Sequence, residues 1–306
     1  MDNRPIGIMD SGIGGLTVAR VLHETYPEEG IVFLGDTKRN PYGERSRDDI
    51  VRFSFAIKDF LKEHQVKMIL IACNTISFNV PPAFFEEDIP VIKMSMEVKL
   101  PEDAKRFAVF ATPATIATHA HKAYFQKKYP QLDFVEVPCD GLAAAIERNA
   151  DENTLSALVK QAAEEYHALD ADTAIWSCTH YPLIADVFRK VLPKVRFLDP
   201  ALPTVETGMD ILRAHDALAG AMQEKTFYFT EGLENSAPLV KKLFNDLLLS
   251  GLVSAPGGTF RSETGICRCS QSLPRLLFSQ PFGSNSCLAM CYGTESGRCK
   301  SSLLFG

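Results

Sequence analysis

Lys67-Met68-Ile69-Leu70-Ile71-Ala72-Cys73-Asn74-Thr75 is the stretch that decides the fold. Its apolar run from Met68 to Ala72 is short and unbroken, which is typical of a parallel strand that is covered on both faces. Polar residues capable of chemistry follow at once. Open α/β sheets bind ligands beyond the carboxyl ends of their strands. The stretch therefore predicts an α/β fold with parallel sheets, with Cys73 at the edge where a ligand would bind.

A second stretch in the chain repeats this arrangement. Thr173-Ala174-Ile175-Trp176-Ser177-Cys178-Thr179 is again an apolar strand that ends at a cysteine, and the stretches 7–12 and 108–113 also resemble each other. The distance from Asp10 to Cys73 is 63 residues, and that from Thr112 to Cys178 is 66. We predict two copies of one α/β unit that place two cysteines on opposite sides of one cleft. The general likeness of all α/β proteins is the alternative.

The remaining pattern supports a domain assignment. Strands are predicted at 5–9, 30–35, 67–72, 107–110 and 174–177, and helices at 16–24 and 46–64. Alternating strands and helices are typical of parallel sheets. We expect a first α/β domain at 1–95 plus 207–250, with Asp10 and Cys73, and a second at 96–206, with Cys178 and His180.

Composition limits the class of protein. The 306 residues are 46% hydrophobic and 23% charged, an ordinary globular balance. A net charge of −6 argues against nucleic acid as a partner. The N-terminus has no signal-peptide pattern, and no apolar run approaches the roughly 18 residues of a membrane span. We therefore expect a soluble cytoplasmic protein without a membrane partner, whose cysteines are reduced.

The segment 251–306 differs from the rest. It holds ten Ser, eight Gly and five of the eight Cys, with five basic and two acidic residues. This composition predicts a poorly structured tail that is dispensable for catalysis. Its cysteines could be read as a metal site, but their spacings are not the common Cys-x₂-Cys. Free thiols are the better interpretation, and no metal site is predicted.

The two cysteine motifs are candidates for catalysis. A helix N-terminus after Cys73 would favour a thiolate, and His180, two residues after Cys178, could activate that thiol. The alternative for either residue is a buried structural cysteine. A zinc site is disfavoured, because neither cysteine has a second ligand at a zinc-like spacing.

The loop Asp10-Ser11-Gly12-Ile13-Gly14-Gly15 looks at first like a phosphate loop. It lacks the Lys-Ser/Thr ending of a P-loop and the spacing of the dinucleotide motif, and Asp10 would repel phosphate. We interpret it as a tight turn in which Asp10 faces the cleft and binds an ammonium group or transfers a proton. Capping of the next helix by Asp10 or Ser11 is the alternative.

Taken together, these motifs resemble the glutamate racemase family. The resemblance covers about residues 4–247. It is carried by these stretches: 7–18 (GIMDSGIGGLTV), 34–37 (LGDT), 41–43 (PYG), 72–75 (ACNT) and 178–183 (CTHYPL).

The resemblance implies two pseudo-twofold-related α/β domains and a cofactor-independent enzyme, without PLP, that interconverts L- and D-glutamate for peptidoglycan synthesis. It implies Cys73 and Cys178 as the two bases, assisted by Asp10 and His180. The family's assisting Glu maps best to Glu147, on an imperfect local match. The implied substrate-binding residues are Asp10, Ser11, Pro41, Tyr42, Gly43, Asn74, Thr75, Thr179 and His180. A homodimer is compatible with the resemblance.

Two departures and two alternatives accompany this interpretation. Lys93 to Glu97 replaces the usual Glu-Pro-Gly at the hinge between the domains, and Trp176 replaces a smaller aliphatic residue. A related two-cysteine racemase or isomerase acting on aspartate or another small diacid would share the cysteine pair. An inactive binding protein is the alternative from another class.

Overall fold

The computed structural model describes residues 1–244 and 251–254. These residues form two α/β domains with parallel sheets, as the sequence predicts. Each of the seven strands and helices predicted above is present, with ends within one residue of the predicted ones. The unbroken apolar runs are buried along their whole length, which is the burial expected of strands covered on both faces.

The first domain contains a six-stranded sheet. Its strands are β1 (Ile6–Asp10), β2 (Ile31–Gly35), β3 (Met68–Ile71), β4 (Val91–Ile92), β9 (Lys225–Phe229) and β10 (Gly251–Ser254). The strand order is β10-β9-β2-β1-β3-β4, and all the pairs are parallel. In this order β2 lies on one side of β1 and β3 lies on the other side. The space between β1 and β3 is therefore the topological switch point of this sheet.

The second domain contains a four-stranded sheet. Its strands are β5 (Arg106–Ala111), β6 (Asp133–Pro138), β7 (Thr173–Ser177) and β8 (Arg196–Leu198), in the order β6-β5-β7-β8. This is the order β2-β1-β3-β4 of the first sheet, so β5 corresponds to β1 and β7 to β3. Cys73 and Cys178 thus lie at equivalent places, each beside the switch point of its own sheet.

Helices cover both faces of the two sheets. Those of the first domain are α1 (Leu16–Thr25), α2 (Arg47–Glu63), α3 (Asn74–Asn79), α9 (Ala201–Ala214) and α10 (Leu233–Phe244). Those of the second domain are α4 (Pro113–Ile116), α5 (Ala120–Lys128), α6 (Leu142–Glu147), α7 (Glu152–Glu165) and α8 (Ala185–Val191). None of the helices in the described residues is long and apolar enough to cross a bilayer.

The predicted boundary between residues 206 and 207 is wrong, because it divides helix α9. Ala201, Val205, Met209 and Leu212 lie on one side of this helix and pack in the core formed by α1 and the first sheet. Both halves of the helix thus belong to the first domain, and we place the boundary near residue 200. The 93–105 connection between the domains is tied to the first domain, where the Met94 N–H donates to Ser77 Oγ (2.9 Å) and the Ser95 N–H to Thr204 Oγ1 (2.9 Å).

The start of the predicted tail also needs correction. Gly251–Ser254 form strand β10, which pairs in parallel with β9 at the edge of the first sheet. Backbone pairing, which the Ser- and Gly-rich composition did not indicate, accounts for this strand. The rest of the predicted tail, residues 255–306, lies outside the described residues.

This edge strand leads to a test by truncation. We expect a chain ending at Ser254 to melt at the temperature of the full-length protein. A chain ending at Ser250 loses the β10–β9 hydrogen bonds, so its melting temperature should fall by about 2–4 °C for each kcal/mol lost. Circular dichroism melts of the three proteins provide the measurement. Equal melting temperatures for the two truncated chains would show that β10 does not stabilise the sheet.

Candidate active site

A narrow cavity lies between the two domains, at the carboxyl ends of both sets of central strands. Both cysteines line it. Its lining residues are Ser11, Pro41, Tyr42, Gly43, Cys73, Asn74, Thr75, Thr112, Ala143, Cys178, Thr179 and His180. Ten of these were predicted from the sequence as catalytic or substrate-binding residues. The fold thus brings together side chains from segments up to about 170 residues apart in the chain.

Cys73 is held at the start of helix α3. Its Sγ lies 3.6 Å from Ser11 Oγ, to which the thiol donates, and the side chain is almost fully buried. Burial raises the pKa of Cys73 well above its ordinary value, and the carboxylate of Asp10 adds to this effect. The backbone N–H of Ile76 and the Ser11 hydroxyl favour the thiolate but do not outweigh burial. Cys73 is therefore a thiol in the resting protein and can donate a proton.

Cys178 has a different partner. Its Sγ lies 3.6 Å from Nδ1 of His180, whose Nε2 lies 2.6 Å from Oε1 of Glu147. Burial by itself would lower the pKa of His180, but the hydrogen bonds to Cys178 and Glu147 outweigh burial and raise it well above the ordinary value. A protonated His180 donates to the sulfur on one side and to the carboxylate on the other. This arrangement places a positive charge beside the Cys178 sulfur.

Glu147 connects the two domains at this point. Its Oε1 accepts from His180 Nε2 in the second domain and from the backbone N–H of Ile13 in the first domain (2.8 Å). Glu147 does not line the cavity between the cysteines; it lies behind His180 and faces a separate, more open cavity. Glu147 thus acts on Cys178 only through His180.

Asp10 lies beneath the cavity and is not among its lining residues, so its contact with a ligand stays a prediction. Its Oδ2 accepts from the backbone N–H groups of Gly15 (2.8 Å) and Gly12 (3.2 Å), which turns the carboxylate toward the start of α1. The N-cap residue of α1 is Gly15, so neither Asp10 nor Ser11 caps this helix as the alternative from the sequence had it. Burial raises the pKa of Asp10 to about 6, against the opposing effect of the His180 charge.

The glycines of the Asp10 loop have a role that the sequence analysis missed. We interpreted this loop as a tight turn, but neither Gly12 nor Gly14 has a positive φ. A methyl group on Gly12 would overlap Glu147, and one on Gly14 would lie 2.6 Å from Nδ1 of His180. The glycines therefore allow side chains of the second domain to approach the backbone of the first.

Thr112 was also missed as a site residue. It follows β5 as Ser11 follows the end of β1, lines the cavity, and its Oγ1 lies 2.9 Å from Thr75 Oγ1 across the two domains. The internal repeat, in which the stretch 108–113 matches 7–12 and Thr112 therefore matches Ser11, held the signal that could have found it. By contrast, Asn74 Nδ2 is buried and has no hydrogen-bond partner, so it can donate to a ligand in the cavity.

No group of three or more His, Cys, Asp or Glu side chains among the described residues is arranged to hold a metal ion. A third cysteine, Cys139, is buried behind Cys178 and does not line the cavity. Trp176 is accommodated in the core of the second domain, where it stacks on Phe197 with ring centroids 5.0 Å apart.

Two parallel-sheet α/β domains with paired thiols in the cleft between them define, by their relatives, a class of isomerase. The family model for Asp/Glu/hydantoin racemases matches residues 6–207 of this chain. The glutamate racemase of Lactobacillus helveticus (strain DPC 4571) is 36% identical over 240 residues, which is 76% of this chain and 90% of that protein. The chain belongs to the Asp/Glu/hydantoin racemase family.

Solved structures show the same relationship. Glutamate racemase from Francisella tularensis, solved in complex with D-glutamate, is 33% identical with a TM-score of 0.72, covering 81% of this chain and 96% of that one. Glutamate racemase isoform RacE1 from Bacillus anthracis is 28% identical with a TM-score of 0.72, covering 81% and 97%.

The raised pKa of Asp10 leads to a prediction about stability. A carboxyl whose folded-state pKa is about 6 instead of 3.8 binds more protons in the folded state, so its contribution to stability is lost as the pH rises between these values. Asn at this position cannot ionise. We expect the free energy of unfolding of Asp10→Asn, relative to wild type, to increase by about 2–3 kcal/mol from about pH 4 to about pH 7.

Urea unfolding of both proteins at the two pH values measures this difference. All other titrating groups are common to the two proteins, so their contributions cancel in the difference between the two free energies of unfolding. A difference that stays constant with pH would contradict the raised pKa of Asp10.

Proposed function

We propose that this protein is a glutamate racemase that interconverts L- and D-glutamate by two-base proton transfer between Cys73 and Cys178. The observation that carries the proposal is the equivalence of the two cysteines, which approach one cavity from topologically matching places. The relatives named glutamate racemase and the structure solved with D-glutamate support this substrate. We further propose a role in supplying D-glutamate for peptidoglycan.

The proposed reaction has two proton transfers. The Cys178 thiolate removes the α-proton of the enantiomer whose Cα–H bond points toward Cys178. This transfer forms an S–H bond and leaves a carbanion at Cα. The Cys73 thiol gives its proton to the opposite face and becomes a thiolate. The product is the mirror-image amino acid, and the enzyme is left in the protonation state that acts on that enantiomer.

The carbanion is a high-energy species, so the site must stabilise negative charge on the substrate carboxylate. The Asn74 amide has a free donor, and the Thr75 and Thr179 hydroxyls line the same cavity. Donors that are fixed in a dry, buried site stabilise developing charge more strongly than water does. In this proposal the Asp10 carboxylate, beneath the cavity, helps to keep Cys73 protonated. Glu147 acts on Cys178 through its hydrogen bond to His180.

The cysteines provide the first test of this proposal. Alanine at Cys73 or Cys178 removes one of two required proton carriers, so we expect racemisation of both enantiomers to fall by at least about 100-fold. Cys139→Ala is the matched control, because Cys139 is equally buried but does not line the cavity. Circular dichroism of L- and D-glutamate, with no added cofactor, measures the rate.

A cysteine variant that keeps more than about a tenth of the wild-type rate would exclude the two-base role of that residue. If the wild type leaves glutamate unchanged but racemises aspartate or another small diacid, the substrate assignment is wrong while the chemistry stands. No turnover of any of these would favour a binding protein.

Glu147 provides a test by pH dependence. In Glu147→Gln the His180 imidazolium loses its carboxylate partner, so the pKa of His180 should fall. The Cys178 thiolate then loses its charged neighbour at a lower pH than in wild type. We expect the alkaline limb of the kcat/KM profile to move to lower pH, with a loss of about 10- to 100-fold at the optimum.

Glu152→Gln serves as the control, because Glu152 is an exposed carboxylate, paired with Lys190, on the next helix. An unchanged alkaline limb in an active Glu147→Gln enzyme would show that Glu147 does not set the protonation of His180.

A further inference from the structure

Asp36 is a fully buried carboxylate that the proposed reaction does not use. It comes directly after β2, and its N–H donates to the Asp10 carbonyl (3.0 Å), so it lies next to the loop that underlies the cavity. It does not line the cavity itself. A buried carboxylate is costly unless donors satisfy it, so its partners indicate what it does.

Three donors from two separate segments surround this carboxylate. Arg39 Nε lies 2.6 Å from Oδ2, and the Tyr42 hydroxyl donates to the same oxygen. The Thr230 hydroxyl, at the end of β9, donates to Oδ1 (2.8 Å). Thr230 Oγ1 also accepts from the Lys38 N–H (2.9 Å). Asp36 therefore joins the 36–45 loop to two neighbouring strands of the first sheet.

The loop that Asp36 holds carries part of the cavity lining. Tyr42 is fully buried, and both Tyr42 and Gly43 line the cavity. On the other side of this turn there is no free space, because a methyl group on Gly43 would lie 2.6 Å from Cβ of Thr112. The Tyr42–Gly43 turn thus lies between Thr112 of the second domain and the Asp36 carboxylate of the first. Loss of the Asp36 contacts would free it on one side only.

We propose that Asp36 is a positioning residue, which fixes the Tyr42–Gly43 turn at the substrate cavity through the Tyr42 hydroxyl. The proposal rests on the proposed function for its kinetic consequence. Because the turn binds substrate but neither removes nor delivers the α-proton, its displacement weakens ground state and transition state together. Such a loss raises KM and leaves kcat less affected.

The test uses Asp36→Asn, Tyr42→Phe and the double variant. We expect Asp36→Asn to raise the KM for glutamate about tenfold, which is the loss expected for one hydrogen bond to a charged group. Phe at position 42 removes the same contact from the other side. The effects of the single changes on KM should therefore not add in the double variant.

Glu29→Gln is the matched control. Glu29 is also a buried carboxylate, paired with Lys67 (2.7 Å), and it precedes β2 whereas Asp36 follows it. We expect this variant to melt at a lower temperature than wild type while keeping the wild-type KM. It separates a loss of stability from a loss of positioning.

A measurement that does not depend on turnover completes the design. Hydrogen exchange of the 39–45 segment should become about tenfold faster in Asp36→Asn and stay unchanged in Glu29→Gln. If wild type does not racemise glutamate, the proposed function fails, and the exchange result still decides the role of Asp36. If Asp36→Asn does not fold, Thr230→Val, which removes one donor to the carboxylate, replaces it in the same comparison. Unchanged exchange, or additive effects on KM in an active enzyme, would overturn the proposal.

Discussion

One carboxylate oxygen, Oε1 of Glu147, accepts from both domains at once, and the character of the site depends on this contact. The bond from His180 Nε2 keeps the imidazole protonated beside Cys178, and the bond from the Ile13 N–H ties the same carboxylate to the loop above Asp10. The contact between the two domains and the charge on His180 beside Cys178 therefore depend on the same atom. If the domains separated, Glu147 would lose the Ile13 N–H, and water could reach His180.

The two halves of the site are equivalent in topology and different in electrostatics. Cys73 and Cys178 follow corresponding strands of the two sheets and line one cavity. Their neighbours differ, because Cys73 faces the Ser11 hydroxyl with a carboxylate nearby, whereas Cys178 faces an imidazolium. The two sides of the cavity therefore differ in charge, with a thiol beside a hydroxyl on one side and a sulfur beside an imidazolium on the other.

The sequence predicted those features that depend on local pattern. Continuous apolar runs identified the central strands, and the position of a cysteine after each run identified the two sides of the cavity. Features that depend on packing between distant segments could not be predicted this way. The amphipathic helix α9 carries no mark of which sheet it covers, so the domain boundary was misplaced. A glycine that admits Glu147 looks in sequence like a glycine in a turn, and Thr112 looks like an ordinary helix cap.

Unpaired donors distinguish the groups that are ready to bind a ligand from those that are not. The Thr75, Thr112 and Thr115 hydroxyls lie 2.9–3.3 Å from one another, so each can donate within this group and a carboxylate competes with those contacts. Asn74 Nδ2 has no such partner, although an unsatisfied buried donor costs about 1–3 kcal/mol. A substrate carboxylate that accepts from Asn74 recovers this free energy without breaking a protein hydrogen bond. The first contact to a bound carboxylate is therefore expected at Asn74, the residue that directly follows Cys73.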